Sequence, residues 1–221
     1  MKLMMKNLMR NKSFLYLLVV ATIVFLSGAI SGCRTAEKVL VDSQIKLSEP
    51  WIFSTDFQKA IYKTNMMIYG NELSGLTLIK KTGKNFRIVF MSEIGLKYYD
   101  MEFFTQNDSI KVHHIISILD KKPVLELLED NFSLIFLMFP AKTKEQVYQD
   151  SMSQNMIKEF KHKRDRSRYT YNRNFGQVST IRKKTGGSNL IISLNSFDHL
   201  APQTINLNQR NLSLRLDKIE P

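Results

Sequence analysis

The chain has 221 residues, with 32 Lys and Arg against 20 Asp and Glu, a net charge of +12 and a single cysteine. One cysteine excludes an intramolecular disulfide framework, so the core must hold itself without covalent staples. The basic excess favours anionic surfaces as partners, and the length suits one domain with a full hydrophobic core.

The first 33 residues stand apart from the rest. Lys2, Lys6, Arg10 and Lys12 occur without an acid, ahead of a nearly unbroken 17-residue apolar run from Phe14 to Ile30 with Ser27 and Gly28 inside it. A basic start, a short apolar core and small residues at its end describe a secretory signal. The run falls short of the roughly 20 residues that a bilayer core asks for, which disfavours a permanent span. The quartet Ile30-Ser31-Gly32-Cys33 resembles the lipobox of bacterial lipoproteins. That resemblance implies that the Cys33 sulfur receives a diacylglyceryl group, that residues 1–32 are removed as a signal peptide, and that the new amino terminus is acylated. A plain signal peptide would leave Cys33 as a stray thiol, and an uncleaved anchor is the other alternative. Lipidation explains both the presence and the solitude of this cysteine. The mature chain then holds 28 basic and 20 acidic residues, and two or three acyl chains keep it on a membrane. For a chain sent out of the cytoplasm, the anionic partners are lipid headgroups, lipopolysaccharide phosphates or an acidic protein, and not nucleic acid.

Residues 33–50 are polar and mixed and read as a lipidated tether, with the folded domain spanning 51–221. From Trp51 onward the pattern has period two. Ala60, Tyr62, Met66 and Ile68 share one face of a strand, and Leu76 and Leu78 alternate with Thr77 and Ile79. Phe86, Ile88 and Phe90 alternate with Arg87, Val89 and Met91, and Tyr99, Met101 and Phe103 with Tyr98, Asp100 and Glu102. Turns at Gly70-Asn71 and at Thr82-Gly83-Lys84-Asn85 make an antiparallel meander the simplest topology, continued through Ile110 to Ile116.

One segment breaks this pattern. After Asp120, a candidate cap, and Pro123 in the first turn, Val124, Leu127, Leu128, Leu134, Ile135 and Met138 recur at helical spacing until Pro140. From Phe132 to Phe139 only Ser133 is polar, so the helix must be enclosed, as a curved sheet would do. Glu126, Glu129 and Asp130 fall on its solvent side. Strands return in the last third: Tyr169 and Tyr171, a turn at Asn174 to Gly176, Val178 to Arg182, a turn from Lys184 to Asn189, then Leu190, Ile192 and Leu194. Beyond Pro202, Ile205 and Leu207 face Leu212, Leu214 and Leu216, while Ser213, Arg215 and Asp217 point to water. The expected architecture is mainly β, a half-open antiparallel barrel of about ten strands around a central apolar helix.

The segment from Leu76 through Thr82-Gly83, Phe86-Arg87 and Ile94-Gly95 to Leu96 is similar to a stretch of the LolB family of outer-membrane lipoprotein receptors. Leu190-Ile-Ile-Ser-Leu194, Pro202, Ile205-Asn-Leu207 and Leu212-Ser-Leu-Arg-Leu216 resemble the closing strands of that family. The resemblance implies a LolA/LolB-like half-barrel whose apolar concave side, covered by helices, takes acyl chains. It also implies a receptor that accepts a lipoprotein from a periplasmic carrier and passes it into the outer membrane. Ile94 stands where the family has an exposed leucine that assists delivery to the membrane, the alternative being a residue tucked against the sheet. The candidate acyl-binding residues are Met66, Ile68, Leu76, Leu78, Ile88, Phe90, Tyr99, Met101, Ile192 and Leu194, with the helix from Val124 to Met138 as cover. Arg34 beside the lipidated cysteine permits outer-membrane sorting, facing the periplasm. No cofactor is implied beyond the diacylglyceryl and N-acyl groups on Cys33.

Catalytic patterns are weak. His113 and His114 are adjacent, so on a regular strand they point to opposite faces and cannot share a metal. His162 and His199 lack Cys or carboxylates at ligand spacing, and the chain has no nucleophile elbow or phosphate-binding loop. The run Lys161 to Arg168 reads either as a contact for an anionic membrane or as a solvated hairpin, and the methionines either as an adaptable cavity lining or as core. The competing reading is a structural or interaction lipoprotein with the same fold, a filled core and a protein partner.

Overall fold

The structure, a computed structural model, describes residues 38–40, 49–140, 143–150, 153, 155–185 and 188–219. The expected signal peptide, Cys33 and most of the expected tether lie outside the described residues.

Hairpins of alternating residues account for most of the chain. The first group comprises β2 (Lys59–Ile68), β3 (Asn71–Thr82), β4 (Asn85–Met91), β5 (Lys97–Phe104) and β6 (Ser109–Ile115). The second comprises β7 (Lys144–Asp150), β8 (Asn155–His162), β9 (Asp165–Asn172), β10 (Val178–Thr185), β11 (Ser188–Phe197), β12 (Pro202–Gln209) and β13 (Leu212–Lys218). With β1 (Lys38–Leu40) they form one sheet in the order β1-β7-β8-β9-β10-β11-β12-β13-β2-β3-β4-β5-β6. Every neighbouring pair is antiparallel. The sheet is not closed, with β1 and β6 as its edges. Thirteen strands among the described residues correct the expected ten. β7, with the sequence KEQVYQD, shows no apolar alternation, and β1 lies within the residues expected to be tether. The sheet therefore begins ahead of Trp51.

The two meanders join side by side where β13 pairs with β2, Leu214 opposite Met66. That arrangement leaves the end of β6 at one edge of the sheet and the start of β7 next to the other. The link must cross the sheet, and α1 (Lys122–Ile135) is that link. Its cap position is Lys121, with no side-chain cap, so Asp120 does not cap it as expected; Pro123 occupies the first turn, where its missing N–H costs nothing. The helix ends at Ile135, short of the expected Met138, because Leu137 takes a left-handed φ of 56°. The apolar run nevertheless continues into the core, with Phe136 and Met138 buried.

Both meanders hold this helix. Phe136 stacks on Phe86 of β4 at 4.6 Å and lies 5.0 Å from Phe103 of β5. On the other side the Tyr169 hydroxyl of β9 donates to the Leu134 carbonyl at 3.0 Å, satisfying a helix-end acceptor, and the Asn131 amide donates to Gln209 of β12. Edge and stacked aromatic pairs of this kind add about 0.5–1.5 kcal/mol each beyond burial.

Register decides which side chains face the helix. Thr82 pairs with Asn85 across the two-residue turn Gly83-Lys84, which sets Ile79 opposite Ile88 and Leu78 opposite Val89. Ile79 is fully buried, while Leu76 and Leu78 lie on the opposite face and are partly exposed. At Gly75, φ is 153° and a Cβ would sit 2.0 Å from the Met91 carbonyl oxygen, beside the irregularity after Phe90. On the outer face, the Arg87 guanidinium binds both carboxylate oxygens of buried Asp100 at 2.8 and 2.9 Å, and Lys97 adds a third bond. These bonds, Arg87 first, outweigh burial and hold the Asp100 carboxyl down at about 2.

Two outcomes follow from these contacts. Gly75→Ala should lower stability by about 3 kcal/mol in urea unfolding, because backbone and not a flexible side chain blocks the methyl group. Since the folded-state value for Asp100 lies below its usual unfolded value near 3.9, its contribution is complete above about pH 4 and is lost as pH falls toward 2. Wild type should therefore lose about 1–2 kcal/mol more than Asp100→Asn over that interval in denaturant titrations, the partners' partial exposure limiting the size.

Candidate functional site

Eight of the ten expected acyl-binding residues come together: Met66, Ile68, Ile88, Phe90, Tyr99, Met101, Ile192 and Leu194 all lie on the sheet face toward α1, none more than 2% exposed. They belong to one continuous cluster with Phe132 and Leu128 of the helix. Tyr99 is 6.0 Å from Phe132 and 5.5 Å from Phe90, ring to ring. This part of the sheet's inner surface is therefore packed core, filled by α1. Leu76 and Leu78, expected with them, belong to the outer face, where Leu78 sits between Ile61 and Val89. The correction has a plain cause: both alternating sets of β3 carry apolar residues, and only the hairpin register selects Thr77 and Ile79 for the inside.

Space opens beyond the end of the helix. A groove of about 330 Å³ has Leu134, Met138, Phe139 and Phe160 among its lining, with Asp130, His162, Asp165 and Lys183 also along it. Phe139 stacks on Phe160 at 3.7 Å, and Tyr169 meets both rings edge-on at 5.5 and 5.4 Å, so three aromatic rings pack together at this apolar wall. The Lys183 amine lies 3.2 Å from Asp130 and 3.9 Å from Asp165, bridging helix and sheet. Beneath it, Lys158 sits 5.4 Å over the Phe160 ring and pairs with Glu49 at 2.9 Å and Glu145 at 3.3 Å. Burial works to lower the Lys158 pKa, but the two carboxylates outweigh it and raise the value. The groove thus combines an apolar wall with neutralised charges, a chemistry that accepts a hydrocarbon chain and offers polar partners at its head. Sequence periodicity missed Phe160 and Lys183, since β8 reads NMIKEFKH and its inner set Met156, Lys158, Phe160 mixes apolar and charged types.

Ile94 is 93% exposed at the tip of the β4–β5 loop, not tucked against the sheet, and Leu96 beside it is 55% exposed. The loop is held by Ser92, whose carbonyl accepts from the Gly95 amide at 3.0 Å and whose amide donates to Leu96 at 2.8 Å. Apolar side chains on a fixed tip are available to another surface. His113 and His114 do not alternate, because the irregularity between Asp100 and Met101 on β5 leaves both exposed, His113 on Glu102 at 3.0 Å and His114 on the Lys97 carbonyl at 3.1 Å. Among the described residues no cluster of three or more His, Cys, Asp or Glu could hold a metal ion.

Tyr99 carries an orphan: its hydroxyl is buried without a hydrogen-bond partner among the described residues, and burial alone pushes its pKa upward. A buried unpaired hydroxyl costs about 1–3 kcal/mol. Tyr99→Phe should therefore keep the fold and leave the urea midpoint unchanged or raised, by about 1 kcal/mol at unchanged slope. Comparison with family models finds none that matches the chain, and comparison with curated proteins finds no match either.

Proposed function

We propose that this chain is a Cys33-anchored lipoprotein of the outer membrane, facing the periplasm, whose LolA/LolB-like half-barrel binds acyl chains and serves as a receptor in lipoprotein localisation. The observation that carries the reading is the groove at the end of α1, with an apolar wall of Met138, Phe139 and Phe160 and ion-paired Lys183 and Asp130 along it. Its volume of about 330 Å³ falls within the range of roughly 300–1,000 Å³ for small-molecule sites. Each square ångström of acyl chain withdrawn from water there contributes roughly 25 cal/mol toward binding. In this reading the chain enters at the groove, not among the eight core residues, and the exposed Ile94 assists transfer to the membrane. No catalytic residue takes part. The partners are the acyl chains of lipoproteins in transit and the periplasmic carrier that brings them.

The packed state of the eight core residues favours a second reading, a structural or interaction lipoprotein on the same fold. Native mass spectrometry of residues 34–221 separates the two. Copurified fatty acid or phospholipid, displaced by detergent monomer and lost in Met138→Trp, supports acyl binding, since the indole occupies the groove. A clean mass that also takes up no added lipid turns the reading to the structural one.

A further inference from the structure

Five cationic side chains, Arg164, Arg166, Arg168, Arg182 and Lys184, line a concavity of about 910 Å³ over β9 to β11, with Asn189 and Ile191 on its β11 side. Its lining contains no Asp or Glu. Arg168 lies opposite Arg182, and Arg166 opposite Lys184. These four therefore form a block roughly 7 Å along the strands and about 4.8 Å across them. Arg164 extends the block from the β8–β9 turn. Lys183, between Arg182 and Lys184, is matched instead by Asp130 and Asp165. A single buried acid organises the block: Glu159 of β8 meets the Arg168 Nε at 2.5 Å and the Arg166 Nε at 3.4 Å. Both guanidinium groups are thus held through Nε, and their terminal nitrogens have no hydrogen-bond partner among the described residues. Arg164, Arg182 and Lys184 have no ion-pair partner among the described residues. Like charges set directly opposite each other weaken a strand pair, so an anion seated over the block would offset a cost built into the ladder.

The charge and its spacing indicate the kind of anion. Glu159 counted against the five cations leaves an excess of four positive charges. Two phosphomonoesters carry about three to four negative charges at pH 7, and each presents three acceptor oxygens to the forked donors of arginine. Carboxylates carry one charge each, so four would have to crowd into the same block. Single-stranded nucleic acid would call for aromatic platforms, and the lining has none. Ile191 is the one exposed apolar side chain of the lining, too little surface for acyl chains. We propose that this concavity binds a compact, water-soluble anion carrying two phosphomonoester groups, held by Arg166, Arg168, Arg182 and Lys184 with Arg164 at the rim. The site is independent of the groove at the end of α1.

Isothermal titration of the full chain in nonionic detergent micelles tests the site, with fructose 1,6-bisphosphate as the probe. It should bind at one site at least about tenfold more tightly than fructose 6-phosphate, the second phosphate adding charge-assisted hydrogen bonds, and added salt should weaken it. Arg182→Gln combined with Lys184→Gln should lower the affinity at least about tenfold while the urea midpoint stays or rises, because the cross-strand repulsion is gone. Arg164→Gln, in a turn outside the ladder, should lower it about threefold without touching the sheet. Lys59→Gln combined with Lys80→Gln removes two exposed lysines that also face each other, and should leave the affinity unchanged. No binding of the bisphosphate, equal binding of fructose 6-phosphate, citrate or a single-stranded oligonucleotide, or an equal loss in the Lys59/Lys80 variant would overturn the proposal. So would binding of dioctanoyl phosphatidylinositol 4,5-bisphosphate at least about tenfold tighter than its deacylated headgroup, which would make the ligand a lipid.

Discussion

Enclosure of α1 is the constraint on which the structure depends. A sheet with two free edges cannot bury its inner face against itself, and an apolar helix cannot stay in water. The two meanders solve both problems together. Because β13 pairs with β2, the link from β6 to β7 has to traverse the inner surface, and the residues that traverse it are those from Val124 to Met138. Aromatic rings then tie the crossing to both halves of the sheet: Phe86 and Phe103 at one side, Tyr169 at the other. The core so formed is continuous, and a chain with one cysteine holds it without an intramolecular disulfide.

Filling the inner face with a helix moves the available space to its end. Past Ile135 the backbone turns through a left-handed residue at Leu137, and Phe139 swings onto Phe160 instead of extending the helix. The wall this creates is apolar, yet it adjoins inward charges of β8 and β10, Lys158 and Lys183, each matched by carboxylates. Burying unpaired ammonium groups beside aromatic rings would be costly, and the pairing with Glu49, Glu145, Asp130 and Asp165 offsets that cost. An open sheet packed at its centre by α1, with space at the helix end, suits partial insertion of a chain more than full engulfment, which is the form the acyl-binding proposal takes.

The outer face divides along the sheet. Over β4 and β5 a buried carboxylate, Asp100, is shared between Arg87 and Lys97 and serves stability. Over β8 to β10 the balance is reversed, with Glu159 engaged by Arg166 and Arg168 while Lys161, Arg182 and Lys184 on the same face have no ion-pair partner among the described residues. The same pleated geometry thus stabilises one region and sets like charges opposite each other in the other.

Much of this was legible in the chain itself. Period-two alternation marked β2 to β6 and the strands after Val178, and helical spacing behind Pro123 marked α1, because each pattern reports one residue's neighbours within its own element. The inward set Met66, Ile68, Ile88, Phe90, Tyr99, Met101, Ile192 and Leu194 followed from the same alternation. The polar strands β1 and β7 left no such trace. Sequence alone thus determined a mainly β chain with one apolar helix and the alternation of most strands. Only the tertiary structure decided that Leu76 and Leu78 face outward, that α1 fills the inner surface, and that Phe160, Lys183 and Asp130 meet at the groove. Those outcomes depend on hairpin register, on the order in which strands pair and on contacts between distant residues, and a local period carries no information about any of them.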